Sequence, residues 1–448
     1  MNRLVRRLGG AVVAAILLAG SAGAQLLPSV QLPPVSLPPV GLPPVGDIPV
    51  AGPVLRDVLG DPQAQQAIRP TLDRVSGLPR RIAESGAPTL LELRRLRLQE
   101  LIRTNSAVLE SDGSGQPVRR GVLIVMDPHP LGLQLALRTG FRVLADQSEP
   151  QLGIRVVQLA VPARMSARSG LRLLQSVAPQ LQADFDHIFE PAGGALLPVQ
   201  AGLAAAVGAG RGRILGMIDG GVASHPSLAG ASIEQNGFAG QPQPTGHGTA
   251  VASLLVGNQL PFRGAATGAQ LLVADVYGGS RAAGSASAIV KALGWLARHR
   301  PQVINISLVG PPNKLVGRAI QIVRSRGIQV VAAVGNDGPA APPQYPASYP
   351  GVVAVTAVDG RGRALVEAGR ATHLDFAAPG ADMAAALPGQ GYAKVRGTSF
   401  AAPLAAARLA IVGSPARLAA EARPGRGRVG RGIVCATCRI DPRAVRAK

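Results

Sequence analysis

Five short, largely apolar runs, at residues 214–218, 270–274, 303–306, 329–334 and 352–355, recur between longer helix-compatible stretches across residues 212–412. Runs without polar alternation suit strands covered on both faces, and strands that alternate with helices pair in parallel. The pattern predicts an α/β domain whose parallel sheet carries functional groups in the loops at the carboxyl ends of its strands. Asp219 and Asn336 each fall just after such a run.

Upstream, residues 118–194 alternate differently. Strands are predicted at 122–126, 141–144, 154–159 and 183–189, with helices at 131–138 and 167–176. The resulting β-α-β-β-α-β order is that of a ferredoxin-like α+β module. Residues 89–104 place Leu, Arg and Glu at helical spacing, which predicts one basic amphipathic helix. Residues 191–210 are rich in Gly, Ala and Pro, so a flexible connection is expected there.

The start of the chain reads as an export signal. Arg3, Arg6 and Arg7 precede an apolar run at 11–19 and the small-residue site Ala22-Gly23-Ala24, so residues 1–24 are expected to be removed. The apolar run is shorter than the roughly 20 residues that span a bilayer. Three Leu-Pro-Pro-Val repeats, at 32–35, 37–40 and 42–45, then favour an extended polyproline spacer. In an exported chain Cys435 and Cys438 are read as a small disulfide ring, a metal site needing further ligands nearby.

The net charge of +21 raises the question of a nucleic-acid partner. The arginines are spread through every segment, no nucleic-acid-binding signature is present, and only 3% of residues are aromatic, so none is expected. Contact between an acidic cell-envelope surface and the Pro-rich or basic carboxyl-terminal segments is the alternative use of that charge, beside a solvated end.

Four motifs carry the chemistry. Asp219-Gly220-Gly221-Val222 ends a strand; Gly246-His247-Gly248-Thr249 opens a helix; Ala333-Val334-Gly335-Asn336 ends another strand; Gly397-Thr398-Ser399-Phe400-Ala401-Ala402-Pro403 begins a buried helix. Each has a plain structural reading, as a turn carboxylate, a helix-start His, a turn Asn and a helix-cap Ser. Each plain reading holds singly, but not for all four motifs together in this order.

With these motifs, the sequence from about residue 212 to 412 resembles the subtilase family of serine proteases. The resemblance implies a subtilisin-like parallel-sheet catalytic domain and a triad of Asp219, His247 and Ser399, in the chain order known for subtilisin. It implies Asn336 as an oxyanion donor, and substrate held by strand addition along Ser307, Leu308 and Val309, with Ala332, Ala333 and Gly335 lining the primary specificity pocket. Val309 replaces a usual Gly, which narrows the cleft against large aromatic side chains next to the scissile bond. The loop at 257–264 lacks the carboxylates of the family's common calcium loop, so no cofactor is expected and calcium is unsupported. The module at 118–194 resembles subtilase propeptides, with Asp186-His187-Ile188-Phe189-Glu190 leading toward the active site and autocleavage expected between about 190 and 210.

The organisation expected is therefore a signal peptide (1–24), a Pro-rich linker (25–55), a helical segment (56–117), a ferredoxin-like propeptide module (118–194), a linker with the processing site (195–211), a peptidase domain (212–413) and a basic tail with the Cys-x-x-Cys pair (414–448). The function expected is a secreted or periplasmic endopeptidase acting on polypeptides and, as a zymogen, on its own propeptide. A catalytically silent surface scaffold of the same fold is the competing reading.

Overall fold

The computed structural model describes residues 89–193, 195–199, 210–259, 262–389 and 391–445. The expected signal peptide, the Pro-rich repeats and most of the linker lie outside the described residues. The chain divides into two compact units, Met1–Leu93 and Arg94–Lys448. Of the first, only residues 89–93 are described; they open helix α1 (Leu90–Thr104) with a capping box, in which Glu92 N donates to Thr89 Oγ1 at 3.3 Å and Thr89 N to Glu92 Oε2 at 2.7 Å. All that follows concerns the second unit.

Its first layer is an antiparallel sheet with two helices. The elements run β1 (Leu109–Ser111), β2 (Pro117–Met126), α2 (Pro130–Arg138), β3 (Arg142–Glu149), β4 (Ile154–Ala160), α3 (Ala167–Val177) and β5 (Gln182–His187). The sheet order is β3-β4-β2-β5, with the short β1 beside the start of β2. Leaving β1 aside, this is the expected β-α-β-β-α-β order. Leu123, Val125, Val157 and Leu159 alternate inward to meet Leu174 of α3, whose start is capped by Ser166 accepting from Ser169 N at 3.2 Å. The strand expected at 183–189 divides. β5 stops at His187 and a two-residue strand, β6 (Glu190–Pro191), pairs elsewhere, since the chain leaves its own sheet and Pro191 has no N–H to continue a ladder.

The connection expected to be flexible instead begins with a strand, β7 (Ala195–Val199). Then come β8 (Ile214–Asp219), β9 (Ser232–Gly237), α4 (Gly246–Val256), the small hairpin β10 (Asn258–Gln259) and β11 (Phe262–Arg263), β12 (Gln270–Asp275), α5 (Ala286–His299), β13 (Val303–Ile306), β14 (Leu308–Val309), α6 (Lys314–Ser325), β15 (Gln329–Ala333), β16 (Val353–Val358), β17 (Phe376–Pro379), β18 (Met383–Ala386), β19 (Tyr392–Arg396), α7 (Thr398–Val412) and α8 (Pro415–Ala420). Seven of these strands form one parallel sheet in the order β17-β16-β15-β13-β8-β12-β9. The five apolar runs of the sequence are its interior strands. The edges β9 and β17 escaped the sequence reading: β9 reads Ser-Ile-Glu-Gln-Asn-Gly and is mostly exposed, while β17 is a buried run of only four residues, Phe-Ala-Ala-Pro.

Alternate residues of the sheet serve opposite faces. Met217, Val273 and Val331 join one core with α4 and α7, while Ile218, Leu272 and Val330 join the other with α5 and α6. The carboxyl-terminal segment, read as a solvated end, packs onto the domain: Leu418, Val434 and Val445 are fully buried, and Cys435 and Cys438 form a disulfide. Apolar residues spaced among arginines let the backbone dock while the guanidinium groups reach solvent. No helix among the described residues is long and apolar enough to cross a membrane.

Candidate active site

Asp219 closes β8 at the carboxyl edge of the sheet and is fully buried. Its Oδ1 accepts from Gly220 N at 2.7 Å and lies 2.8 Å from His247 Nδ1. His247 stands in the first turn of α4, capped by Thr245, whose hydroxyl accepts from Gly248 N at 2.9 Å. Gly248 lets this turn sit on the Asp219 loop: a Cβ there would lie 2.3 Å from the Gly220 carbonyl oxygen. The far nitrogen, Nε2, has no hydrogen-bond partner among the described residues. It faces Gly193, on which a Cβ would lie 3.9 Å away.

Ser399 occupies the first turn of α7, after Gly397 at φ +142°, a conformation that favours glycine. The structure sets Ser399 Oγ on the Ser307 carbonyl at 3.3 Å. The Asp–His link is thus formed and the His–Ser link is not. The Phe400 ring, fully buried in the core, is centred 5.6 Å from the imidazole.

Asn336 follows β15. Its Oδ1 accepts from Thr398 N at 3.0 Å, which turns the amide nitrogen toward the cleft. There Nδ2 donates to the carbonyl oxygens of Ala192 and, at 2.8 Å, of Gly193.

The segment 189–192 lies in the cleft as an added strand. Ala192 N donates to Ser307 O at 2.8 Å, and β6 pairs antiparallel with β14, Glu190 opposite Val309 and Pro191 opposite Leu308. Phe189 is fully buried, its N–H on Gly284 O at 2.7 Å and its carbonyl held by the Tyr277 hydroxyl at 2.9 Å. Burial first, then the charges of Asp219 and Glu190, push the Tyr277 phenol well above its ordinary pKa and keep it a donor.

Of the expected pocket residues, Ala332 and Ala333 belong to the two opposite cores of the sheet. Gly335 turns at φ +87° with Val309 close by: a Cβ on Gly335 would lie 3.3 Å from Val309 Cγ1.

Sequence reading missed a charged cluster beside Asn336. Arg94 Nε and Arg97 Nη1 each lie 3.0 Å from the Asp337 carboxylate, and Arg97 Nε lies 3.3 Å from Glu190. Burial opposes the charge of Arg97, but Glu190 and Asp337 more than offset it and raise its pKa. Among the described residues no group of three His, Cys, Asp or Glu side chains is placed to hold a metal ion.

Asp219 and Asn336 follow strands at the carboxyl edge of a parallel sheet, with His247 and Ser399 in the first turns of two helices, and the comparisons are specific. The model of the subtilase family matches residues 210–422. Subtilisin Savinase of Lederbergia lenta is 36% identical over 212 residues, 45% of this chain and 77% of that protein. The alkaline protease of Alkalihalobacillus alcalophilus is 36% identical over 212 residues; this chain covers 54% of its length, about half. The crystal structure of fervidolysin from Fervidobacterium pennivorans, a keratinolytic enzyme related to subtilisin, shares the fold with a TM-score of 0.60 at 19% identity, covering 72% of this chain and 61% of that one. The chain belongs to the subtilase family of serine endopeptidases.

Proposed function

We propose that this chain is an exported endopeptidase with Asp219, His247 and Ser399 as its triad, made as a zymogen that cuts its own Ala192–Gly193 bond. The observation that carries the reading is the course of residues 189–193. They pair with β14 as a substrate strand would, and the Ala192 carbonyl meets the Asn336 amide, where the oxyanion of a tetrahedral intermediate needs a donor.

The chemistry follows from the groups present. Ser399 Oγ, turned from Ser307 O toward His247 Nε2, loses its proton to that nitrogen as it attacks the Ala192 carbonyl carbon. Asp219 holds the Nδ1–H tautomer and stabilises the imidazolium. The oxyanion is met by Asn336 Nδ2 and the Ser399 N–H. His247 then gives its proton to the Gly193 nitrogen, the C–N bond breaks, and water resolves the acyl-enzyme by the reverse sequence. Added polypeptides would follow the same course once residues 189–192 leave the cleft.

The ferredoxin-like module is suited to act as the propeptide. Two carboxylates of β5 meet the amino ends of two peptidase helices: Asp186 accepts from Ser287 N at 2.9 Å on α5 and Asp184 from Lys314 N at 2.9 Å on α6. These N–H groups have no partner within their helices, so the module adds acceptors beside the helices' own caps, Ser285 and Asn313. Export rests on the charge and apolar pattern of residues 1–24, and places the protein outside the cytoplasm.

The experiment is to express the wild type and Ser399→Ala side by side and map amino termini by mass spectrometry. The reading predicts a wild-type terminus at Gly193 or beyond, and an intact Ala192–Gly193 bond in Ser399→Ala. Equal cutting of both under protease-free conditions, or a fully active wild type still joined there, overturns it.

A further inference from the structure

Past the bond to be cut, the chain stays against the peptidase surface. Gly193 lies beside His247, its carbonyl held by Asn336 Nδ2 at 2.8 Å, and two residues further on the backbone enters β7. β7 pairs antiparallel with β19 along its whole length, from Ala195 opposite Arg396 to Val199 opposite Tyr392. Arg396 stands three residues before Ser399, so the pairing starts close in sequence to the nucleophile. β18 takes one edge of β19 and β7 fills the other. Leu196 pins the strand in place. Its side chain is partly buried against the core shared by α4 and α7, and a Cβ on Gly246, in the turn that carries His247, would lie 3.3 Å from Leu196 Cδ1.

Cutting Ala192–Gly193 breaks none of these contacts. Residues 189–192 lie on the module side of the bond and can leave with the module, but β7 remains covalently joined to the peptidase segment. Ten residues, 200–209, tether it to Gly210, whose N–H donates to Thr267 O at 3.0 Å. A tether that short holds a strand beside its site at an effective concentration on the order of millimolar. A polypeptide bound through Ser307 and Asn336 in the direction of residues 189–193 would send the residues after its scissile bond along the course of 193–199, onto the β19 edge that β7 occupies.

We infer that β7 is a second self-inhibitory strand: after Ala192–Gly193 is cut and the module has left, it stays on β19 and excludes the part of a polypeptide that follows the scissile bond, while substrates that end at that bond still reach Ser399. The inference rests on the peptidase reading above and adds a condition to it, since β7 must peel from β19 before a long substrate is cut. The strand competes with substrate for one edge, so its mark is a raised KM for long substrates with little change in kcat.

The test uses the full chain, expressed, left to process and separated from the module, with its amino terminus mapped by mass spectrometry and its active sites counted by fluorophosphonate titration. Two substrates share Phe-Glu-Pro-Ala before the bond, the residues of 189–192. One is a p-nitroanilide with no peptide beyond the bond; the other is an internally quenched peptide continued by Gly-Gly-Ala-Leu-Leu-Pro-Val, as in 193–199. Leu196→Asp should lower KM for the quenched peptide by roughly tenfold or more, the worth of one leucine's burial, and leave the anilide kinetics within about twofold. Leu196→Ala should act in the same direction and serves if the aspartate variant is not processed. A general structural effect would move both substrates together, so a change shared by both, or seen with neither, overturns the inference. Hydrogen exchange on the processed wild type gives an arm without any substitution: the amides of 195–199 should stay protected after the module has gone, and exchange at the rate of unstructured chain overturns it. A processed terminus beyond Val199 means that the strand is shed and overturns it too. A processed wild type that never labels fails at the peptidase reading instead, and takes this inference with it.

Discussion

Ser399, His247, Asp219 and Asn336 come from four separate stretches of sequence, and each is placed by backbone rules that act within a few residues of it. Thr245 caps the His247 helix, Gly397 turns the chain into the Ser399 helix, and Thr398 N orients the Asn336 amide. Because Ser399 Oγ makes one weak hydrogen bond, to Ser307 O at 3.3 Å, Ser399→Ala should change stability by at most about 1 kcal/mol. Turnover of denatured protein should fall at least about a thousandfold, and His247→Ala should fall as far, since members of a triad act as a unit. Thermal unfolding and initial rates on purified, protease-free variants check both; wild-type-like turnover in either contradicts the assignment. For Asn336→Ala a loss of about 10²–10³ in kcat is expected, the size known for that donor in subtilisin.

The candidate residues were legible in the sequence because each sits in a contiguous motif whose strand or helix is signalled locally. The Asp337 cluster was not. Arg94 and Asp337 are 243 positions apart, and nothing near either residue marks the other. An arginine on an amphipathic helix reads as a solvated charge until the fold buries it.

At the scale of elements, the caps supplied by β5 tie module and peptidase together. Asp186 is fully buried, bonded to Ser287 N and to Ser287 Oγ at 2.8 Å, with Arg119 3.4 Å away. Removing the carboxylate would leave a helix-start N–H buried without an acceptor, a cost of about 1–3 kcal/mol. Asp186→Ala should therefore slow acquisition of activity after refolding of the full chain, while Asp184→Ala, whose cap on Lys314 is exposed, should slow it less. Refolding from denaturant followed by activity against time checks this; equal refolding of both variants and the wild type would remove the module's role in folding the peptidase.

The elements themselves show where sequence reasoning stops. Interior strands of the parallel sheet announce themselves as unbroken apolar runs, and α3, α4 and α7 by caps and spacing. Edge strands β9 and β17 and the paired segments β6 and β7 do not, because their partners lie far away in the chain and backbone pairing leaves no mark on composition. β7 was expected to be flexible from its neighbours' Gly and Ala content, yet it pairs with β19 from Ala195 opposite Arg396 to Val199 opposite Tyr392.

Across the whole molecule, one chain supplies an enzyme cleft and the strand that fills it. The module caps the helices on one side of the sheet, the chain leaves it through Phe189 and Glu190, crosses Ser307 and Asn336, and continues into a strand of the peptidase segment. Among the described residues the one buried arginine, Arg94, is paired with the Asp337 carboxylate. The account's central claim is that Ser399 is an activated nucleophile uncovered by processing. The direct measurement is fluorophosphonate labelling of the exported, processed protein, with the modified residue mapped by mass spectrometry. The account predicts one label, on Ser399, absent from Ser399→Ala and from the wild type while Ala192–Gly193 is intact and occupied. A folded, processed protein that never labels, or that labels elsewhere, would contradict it.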